Sequence, residues 1–171
     1  MILLGYTAEI AVSEDHFIVA QRTTQAKADN HALVPMVEAV EQECGETPAT
    51  VLADSGFFSA ANLEKLEQKG IDAYVPDPNL MSEINGGGAA NERRPLSDPR
   101  LLAMRHKLRT PTGRQRYRRR QGLVEPVFGI LKEHRGLRQF QRRGLAKVGV
   151  ELTLAALAYN LTRLYRLRHS K

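Results

Sequence analysis

At 171 residues the chain has the length of one globular domain, and its 42% hydrophobic and 26% charged residues are ordinary for a soluble protein. A single cysteine excludes an internal disulfide and a cysteine-built zinc site, and no uncharged apolar run reaches the length of a membrane span. We therefore expect a cytoplasmic protein with no membrane partner.

The net charge of +6 is divided unevenly along the chain. Residues 1–91 hold 4 Lys/Arg against 14 Asp/Glu, whereas residues 92–171 hold 21 against 5. Such asymmetry predicts that the basic half meets a polyanion, with nucleic acid as the first candidate because phosphate neutralisation supplies most non-specific affinity. A solvated helical surface with a basic bias is the ordinary alternative.

The first 76 residues have the pattern of a hairpin followed by alternating strands and helices. Alternation of this kind predicts a mostly parallel layer covered by helices, with an antiparallel edge. The predicted elements are strands at 5–12 and 17–20, a helix from Leu33 to about Gly45 capped by Asp29 or Asn30, a strand buried on both faces at 50–53, a helix at 60–69 capped by Ser59, and a strand at 71–75.

The rest of the chain changes character twice. Prolines and glycines in residues 77–113 indicate an exposed, flexible connector, in which residues 101–108 form a short helix that Pro111 and Gly113 end. Residues 114–171 are basic and helical, with one helix at 114–135 and another at 145–167. The second has apolar residues on two faces, which predicts that it is buried or sandwiched between other elements.

Asp54 is the first candidate for chemistry. It directly follows the predicted strand at 50–53, at the end where open α/β sheets place their active sites, and Gly56 follows it. A carboxylate there suits a divalent cation. An Asp that caps the next turn is an equally common arrangement.

Glu125 is the second candidate, because it is an acidic residue inside an intensely basic segment. It lies beside the apolar stripe of its helix, and Lys132 follows two helical turns later on nearly the same face. A carboxylate for metal and a lysine for phosphate, aligned along one helix, would suit DNA cleavage. A surface ion pair with a neighbouring arginine is the ordinary alternative.

Several ordered motifs resemble those of transposases with a DDE domain. The segment from Val51 to Ser59, with residues 62–64 and 70–76, resembles the surroundings of the family's second catalytic aspartate. Tyr117, Arg120, Glu125 and Lys132 resemble its tyrosine–arginine–glutamate–lysine signature, although the arginine-to-glutamate interval is one residue longer than the commonest spacing. With the motifs at 143–148 and 158–161 the resemblance covers nearly the whole chain, and it is strongest to insertion-sequence enzymes of the IS1182 and IS5/IS4-like groups.

The resemblance implies an α/β fold of the RNase H-like class, with a mixed sheet flanked by helices. It divides the chain into a partial sheet core at 1–76, the connector at 77–113 and basic helices carrying the catalytic glutamate at 114–171. It implies that Asp54 and Glu125 are catalytic metal ligands for Mg²⁺ or Mn²⁺, two ions in a complete site. It also implies a set of DNA-binding residues, comprising Tyr117, Arg118, Arg119, Arg120, Lys132, Arg142 and Arg143, of which Tyr117 either orients the backbone or packs beside the site.

The chain also departs from the family. The family's first catalytic aspartate lies on a strand upstream of the hairpin, so we expect an N-terminally truncated, C-terminal part without that strand or that Asp, and without the DNA-recognition region. The expected function is a transposase fragment, inactive alone, that acts on transposon ends and target DNA near the bacterial nucleoid. Expected partners are a second copy or a complementing N-terminal fragment. A non-catalytic DNA-binding or regulatory protein derived from a transposase is the alternative, and an unrelated small nuclease would need a complete acidic site.

Overall fold

A hairpin opens the fold, as predicted. The computed structural model describes residues 5–25, 31–78, 80 and 96–169. Strand β1, Thr7–Val12, pairs antiparallel with β2, Ile18–Thr24, from Thr7 opposite Thr24 to a bulge between Ala11 and Val12. In the turn between them His16 has a positive φ of 58°, and the backbone N–H of Ser13 donates to the carbonyl of Phe17.

The predicted strand–helix–strand unit is also confirmed. Helix α1, Leu33–Cys44, precedes β3, Thr50–Leu52, which runs parallel to β4, Asp72–Tyr74, and α2, Ala60–Gln68, crosses between them. Ser59 caps α2 by accepting a hydrogen bond from the backbone N–H of Asn62. The predicted caps of α1, Asp29 and Asn30, lie outside the described residues, and Ala32 occupies the cap position.

The strands do not form the single mixed sheet that we expected. The hairpin and the β3–β4 pair are two separate two-stranded sheets within the described ranges. Strand β3 is consequently only partly buried, and the prediction of a strand covered on both faces is wrong, because β4 is its sole hydrogen-bonded neighbour among these residues. The two sheets are held together by helices.

Three helices form the basic part of the chain: α3, Pro99–Arg109, α4, Pro111–Glu133, and α5, Leu145–His169. Pro111 and Gly113 were expected to end the first of these, but Pro111 begins α4, a position where its missing N–H costs nothing. The Thr110 hydroxyl caps α4 by accepting from the backbone N–H of Gly113, 3.0 Å away. None of the helices in the described part of the chain is long and apolar enough to cross a membrane.

Helix α4 joins two hydrophobic cores. Tyr117 belongs to the core formed by α1, α2, α3 and the β3–β4 pair, whereas Val127 and Leu131 belong to a second core with β2 and α5. The buried residues Gly113, Tyr117, Val127 and Leu131 all lie on one face of α4. Helix α4 therefore joins α5 and the hairpin to the parallel strand pair, and α1, which packs against both the hairpin and α2, makes a second connection.

Part of the predicted connector is packed rather than exposed. Asp77, three residues beyond the end of β4, forms an ion pair with Arg105 of α3, and both side chains are almost completely buried. The Nε of Arg105 lies 2.8 Å from Asp77 Oδ2. Leu80 and Leu108 are fully buried in the first core, while residues 81–95 of the connector lie outside the described residues.

A second charged cluster ties α3 and α4 to the edge of β4. Lys107 of α3 donates to the carboxylate of Asp72 and, at 2.8 Å, to the carbonyl of Ala73, and its Nζ lies 4.0 Å from the centroid of the Tyr74 ring. Arg116 of α4 reaches Asp72 at 3.0 Å and the Tyr74 hydroxyl at 3.2 Å. The start of α4 is thereby held against the strand pair that carries Asp54.

Helix α5 buries one of its two apolar faces. Val148, Leu152, Ala156 and Tyr159 are buried on one side of the helix. The opposite face is exposed, and the expectation that both faces would be covered is not met among the described residues. Its large apolar side chains are 41–63% exposed, and they include Val150, Leu154, Leu157, Leu161, Leu164 and Tyr165.

The junction of α3 and α4 depends on the absence of a side chain at Gly113. A Cβ there would lie 2.0 Å from the carbonyl oxygen of Lys107, whereas a Cβ on Gly122 of the same helix would meet nothing within 4 Å. We expect Gly113→Ala to lower the free energy of unfolding by about 1–3 kcal/mol through this clash. The matched variant Gly122→Ala should raise it by about 0.5–1 kcal/mol, because alanine is the better helix former. Urea denaturation measures both, and equal effects of the two variants would contradict the assigned packing.

The Asp72 cluster predicts acid sensitivity. Partial burial alone would raise the pKa of Asp72, but hydrogen bonds from Lys107 and Tyr74 and the charges of Lys107 and Arg116 together bring the pKa below its ordinary value of 3.8. A carboxyl whose pKa is lower in the folded state stabilises the fold above its unfolded pKa, and this contribution is lost as the pH falls through the folded pKa.

We therefore expect Asp72→Asn to be less stable than the parent at neutral pH and to lose less stability on acidification below about pH 4. Denaturant midpoints measured across the acid range test this. Glu14→Gln, in the exposed hairpin turn, is the control and should leave the acid dependence unchanged. Parallel pH profiles for Asp72→Asn and the parent would refute the assignment.

Candidate active site and DNA-binding surface

Asp54 lies at the end of β3, where the backbone turns into a short 3₁₀ helix, Ser55–Phe57. Its Oδ1 accepts a hydrogen bond from the backbone N–H of Ser55 at 2.7 Å, so the carboxylate caps this turn. The side chain remains 49% exposed. The capping arrangement that the sequence left open is thus present, and the carboxylate keeps an accessible side.

Arg120 of α4 contacts that accessible side. Its Nη2 lies 3.1 Å from Asp54 Oδ2, and the guanidinium is mostly buried, with 22% of the side chain exposed. The two residues are 66 positions apart in the sequence. Helix α4 therefore crosses the end of β3 at Arg120, and one oxygen of Asp54 is neutralised by a cation of the protein itself.

Tyr117 lies one turn before Arg120 and is buried. Burial is the main reason that the pKa of its phenol is raised to about 12. The nearby charge of Arg120 lowers this pKa, and the charge of Asp54 raises it. The phenol therefore stays protonated at neutral pH beside the ion pair. The structure brings Asp54, Tyr117 and Arg120 together, and it buries the tyrosine ring in the first core.

Glu125 does not join this group. It lies five residues beyond Arg120, which on an α-helix is about 7.5 Å along the axis and about 140° around it. Its side chain is exposed, and within the described ranges it has no hydrogen bond or ion pair. Pro126 follows it inside the helix and cannot donate the backbone hydrogen bond that the carbonyl of Gly122 would otherwise accept.

Lys132 shares the face of Glu125. The interval of seven residues returns the side chain to within about 20° of the same direction, about 10 Å farther along α4. Lys132 is exposed, and its Nζ lies 5.6 Å from the centroid of the Phe128 ring. The glutamate and the lysine of the signature thus lie on one exposed side of α4, and the arginine faces the strand end.

The carboxylate oxygens of Asp54 and Glu125 are of the kind that a hard divalent cation prefers, but too few of them lie together to form a complete site. Oxygen donors are the ligands that Mg²⁺ prefers. Asp54 offers them at the strand end, but it shares one oxygen with Arg120. In the part of the chain that the structure describes, no group of three His, Cys, Asp or Glu side chains is placed to hold a metal ion. This donor set is therefore incomplete for a two-metal site.

The remaining predicted DNA-binding residues are exposed. Arg118 and Arg119 lie on α4, and Arg142 and Arg143 lie in the segment before α5. The backbone N–H of Arg142 donates to the carboxylate of Glu151, 3.1 Å away, and this bond fixes the segment against α5. None of these four guanidinium groups forms an ion pair with a described residue, so their charges face solvent.

Sequence reasoning missed the residues that hold α4 in place. Lys107 and Arg116 bind the carboxylate of Asp72, and Arg105 pairs with Asp77. The sequence offered one indication for Arg116. It precedes Arg120 by about one helical turn, so the two arginines must lie on the same face of α4. The acidic partners lie more than 25 residues away in sequence, and spacing within a helix does not identify them.

The comparison with protein families gives one match to nearly the whole chain. The family model described as Transposase DDE domain matches residues 4–161. No curated protein and no solved structure matches the chain. The matched range includes β3 with Asp54, all of α4 and most of α5. The chain therefore belongs to the family of transposases with a DDE domain.

Proposed function

We propose that the chain is the C-terminal part of the catalytic domain of an insertion-sequence transposase of the RNase H-like class. The complete enzyme would carry out metal-dependent DNA strand cleavage and strand transfer. The observation that carries this proposal is the contact between Arg120 and Asp54, because it joins the family's arginine to the candidate aspartate at the end of a parallel strand. Transposases act on DNA, and the basic exposed residues of α4 agree with that substrate.

Each signature residue has a proposed role. Asp54 and Glu125 would hold Mg²⁺ or Mn²⁺, which in such sites activates the attacking oxygen and stabilises the leaving one. Lys132 and Arg120 contact DNA phosphates, and the buried Tyr117 packs beside the site. Arg118, Arg119, Arg142 and Arg143 add affinity that does not depend on sequence.

Glu125 reaches the metal only if the end of α4 reorients. The face of Glu125 is turned away from the strand end, and the helix is weakest at the neighbouring Pro126, where one backbone hydrogen bond is missing. We propose that α4 changes direction there when DNA and metal bind. The exchange of Arg120 from Asp54 to a phosphate would accompany this change and release the second oxygen of Asp54.

We further propose that residues 1–171 cleave DNA little or not at all by themselves. A complete site of this class needs three carboxylates, and a third one does not lie with Asp54 and Glu125 among the described residues. A complementing segment, carrying an aspartate on a strand, would complete both the site and the sheet. It would insert between the hairpin and the β3–β4 pair, which are separate within the described ranges.

A non-catalytic DNA-binding or regulatory protein derived from a transposase is the second candidate. The incomplete carboxylate set favours it, as does the strongly basic second half of the chain. Both candidates bind DNA in the cytoplasm, at the bacterial nucleoid. They differ in whether Asp54 ever binds a metal.

Cleavage and metal binding together test the proposal. With Mg²⁺ or Mn²⁺ we expect little nicking of supercoiled plasmid by the chain alone, and weak Mn²⁺ binding, measured by calorimetry, that Asp54→Asn and Glu125→Gln each reduce. Arg120→Gln should tighten Mn²⁺ binding several-fold, because it removes the cation that competes for Asp54.

Glu133→Gln is the matched control, since Glu133 is exposed on α4 and paired with Arg138. It should bind Mn²⁺ as the parent does. Robust nicking that Asp54→Ala abolishes would show that the chain is sufficient for catalysis. Mn²⁺ binding that is indifferent to Asp54 and Glu125 would favour the regulatory alternative.

We propose a second copy of this chain as the partner of the exposed face of α5. Val150, Leu154, Leu157, Leu161 and Leu164 follow one another at intervals of four, three, four and three residues, the spacing of a helix–helix seam. With Tyr165 they expose on the order of 600 Å² of apolar surface, close to the ~800 Å² that each partner contributes to a standard stable interface.

The charges on α5 favour an antiparallel pair. Glu151 lies near the beginning of the helix, and Arg166, Arg168 and His169 lie in its last turn. A parallel pair would bring the two basic ends together, whereas an antiparallel pair about Leu157 keeps them at opposite ends of the seam. The spacing is nearly symmetric about Leu157, as a two-fold interface requires.

Sedimentation equilibrium tests this dimer. We expect a mass of about 38 kDa, twice the 19.1 kDa of one chain, and a shift to monomer for Leu157→Lys because it places two charges on the two-fold axis. Leu102→Lys is the control, since Leu102 is a similarly exposed leucine on α3. A monomeric parent chain, or dissociation by both variants alike, would refute the proposed interface.

A further inference from the structure

A cleft of about 380 Å³ lies between the end of α4 and the second half of α5, apart from the candidate active site. Its lining includes His134 and Arg135 from the end of α4, and Tyr159, Thr162, Arg163 and Arg166 from α5. No carboxylate lines it among the described residues. The cleft begins about ten residues beyond Arg120, which is about 15 Å along the helix.

The arginines of this cleft are held by neutral groups. Arg135 Nη2 donates to the carbonyl of Ala158 at 3.1 Å and to the Thr162 hydroxyl at 2.6 Å. Arg163 Nε donates to the carbonyl of Asp15 in the hairpin turn, 3.1 Å away. These bonds orient two guanidinium groups without cancelling their charge, because a carbonyl or hydroxyl oxygen carries no net charge.

Five arginines elsewhere in the fold are paired with carboxylates. Arg100 pairs with Glu64, Arg105 with Asp77, Arg116 with Asp72, Arg120 with Asp54 and Arg138 with Glu133. In each of those pairs a carboxylate offsets the positive charge. Arg135 and Arg163 therefore bring to the cleft two positioned guanidinium groups that no described carboxylate pairs with, and charge positioned in advance binds an oxyanion at low entropic cost.

The pKa of the buried Tyr159 phenol also indicates that Arg163 and Arg166 lie close together. Burial raises its pKa, and the charges of Arg163 and Arg166 act against that rise. Both arginines are thus close enough to act on one buried hydroxyl. The carbonyl end of α4 contributes about half a negative charge nearby, which the guanidinium groups of Arg135 and Arg163 outweigh.

We infer that this cleft binds a phosphodiester of the DNA backbone, as a second contact beyond the candidate active site. The inference rests on the proposed function for its choice of DNA. Arginine recognises phosphate through paired N–H donors, and the Tyr159 hydroxyl offers a further donor at the same place, whereas the proton of the Thr162 hydroxyl is donated to the carbonyl of Ala158. At 3.4 Å per nucleotide, a separation of about 15 Å along α4 corresponds to about four or five base pairs. The cleft would therefore hold the flank of a duplex whose scissile phosphate lies near Asp54.

Fluorescence anisotropy of a short labelled duplex, with the full chain and without metal, tests the inference. We expect Arg163→Gln combined with Arg166→Gln to weaken binding about tenfold at about 100 mM salt and to reduce the slope of log K against log salt by about one to two, since each lost phosphate contact removes about 0.9. The control combines Arg100→Gln with Arg138→Gln. It removes the same charge from carboxylate-paired arginines and should change the affinity less than twofold.

Replacing Arg163 and Arg166 by lysine distinguishes a lost phosphate contact from a loss of folded protein. The double variant with Arg163→Lys and Arg166→Lys keeps the charge and should recover most of the salt slope, with thermal melting of each variant measured alongside. Equal losses in the glutamine variant and in the control would mean that only net charge matters, and would overturn the inference.

Free inorganic phosphate is the other ligand with the chemistry that this cleft would recognise. Inorganic phosphate should displace the duplex from the parent chain and do so less from the glutamine variant. If phosphate raises the melting temperature of the parent through Arg163 and Arg166 while duplex affinity is unchanged in the variant, the cleft is a free-phosphate site and the DNA assignment is wrong. A failure of the proposed catalytic site would look different. Mn²⁺ binding would then not depend on Asp54, whereas DNA binding without metal would still depend on the cleft arginines.

Discussion

The fold depends on one constraint, which is that a single 23-residue helix must satisfy two cores at once. The buried face of α4 enters the first core at Tyr117 and the second at Val127 and Leu131, so it connects the β3–β4 pair to the hairpin and α5. Because side chains in helical register keep fixed angles to one another, that face also fixes where every other residue of α4 lies. Gly113 allows the close approach to α3 from which the helix starts.

The same constraint explains why the signature residues divide into two groups. Arg120 lies along the buried face and therefore reaches Asp54 at the strand end, whereas Glu125 and Lys132 lie on the exposed side. A rigid helix cannot present both groups to one site. Pro126 removes one backbone hydrogen bond from α4, so a weakened turn of the helix lies beside Glu125.

Local patterns predicted the hairpin, the β3–α2–β4 unit, the Ser59 cap and the two long basic helices, because each depends on residues close in sequence. The start of α4 was misjudged since Pro111 and Gly113 end helices in most contexts. Here the proline serves as a first residue and the glycine as a contact point. The separation of the two sheets, the buried Arg105–Asp77 pair and the exposed face of α5 depend on tertiary packing, which periodicity does not record. For the site, the sequence identified Asp54 and Arg120 but not that they would touch.

The uneven charge of the chain acquires a more specific meaning in the folded protein. Cations from residues 100–120 pair with acids of the first half, as in Arg100 with Glu64, Lys107 with Asp72 and Arg120 with Asp54. Part of the opposite charge of the two halves therefore forms the ion pairs that hold α3 and α4 on the parallel strands. Beyond Arg120 the arginines that bind within the fold do so mainly through carbonyl and hydroxyl oxygens, as Arg135 and Arg163 do. The positive charge available to a polyanion lies for that reason on the exposed arginines of α4, of the segment before α5 and of α5 itself, and DNA affinity should follow these elements rather than the overall net charge.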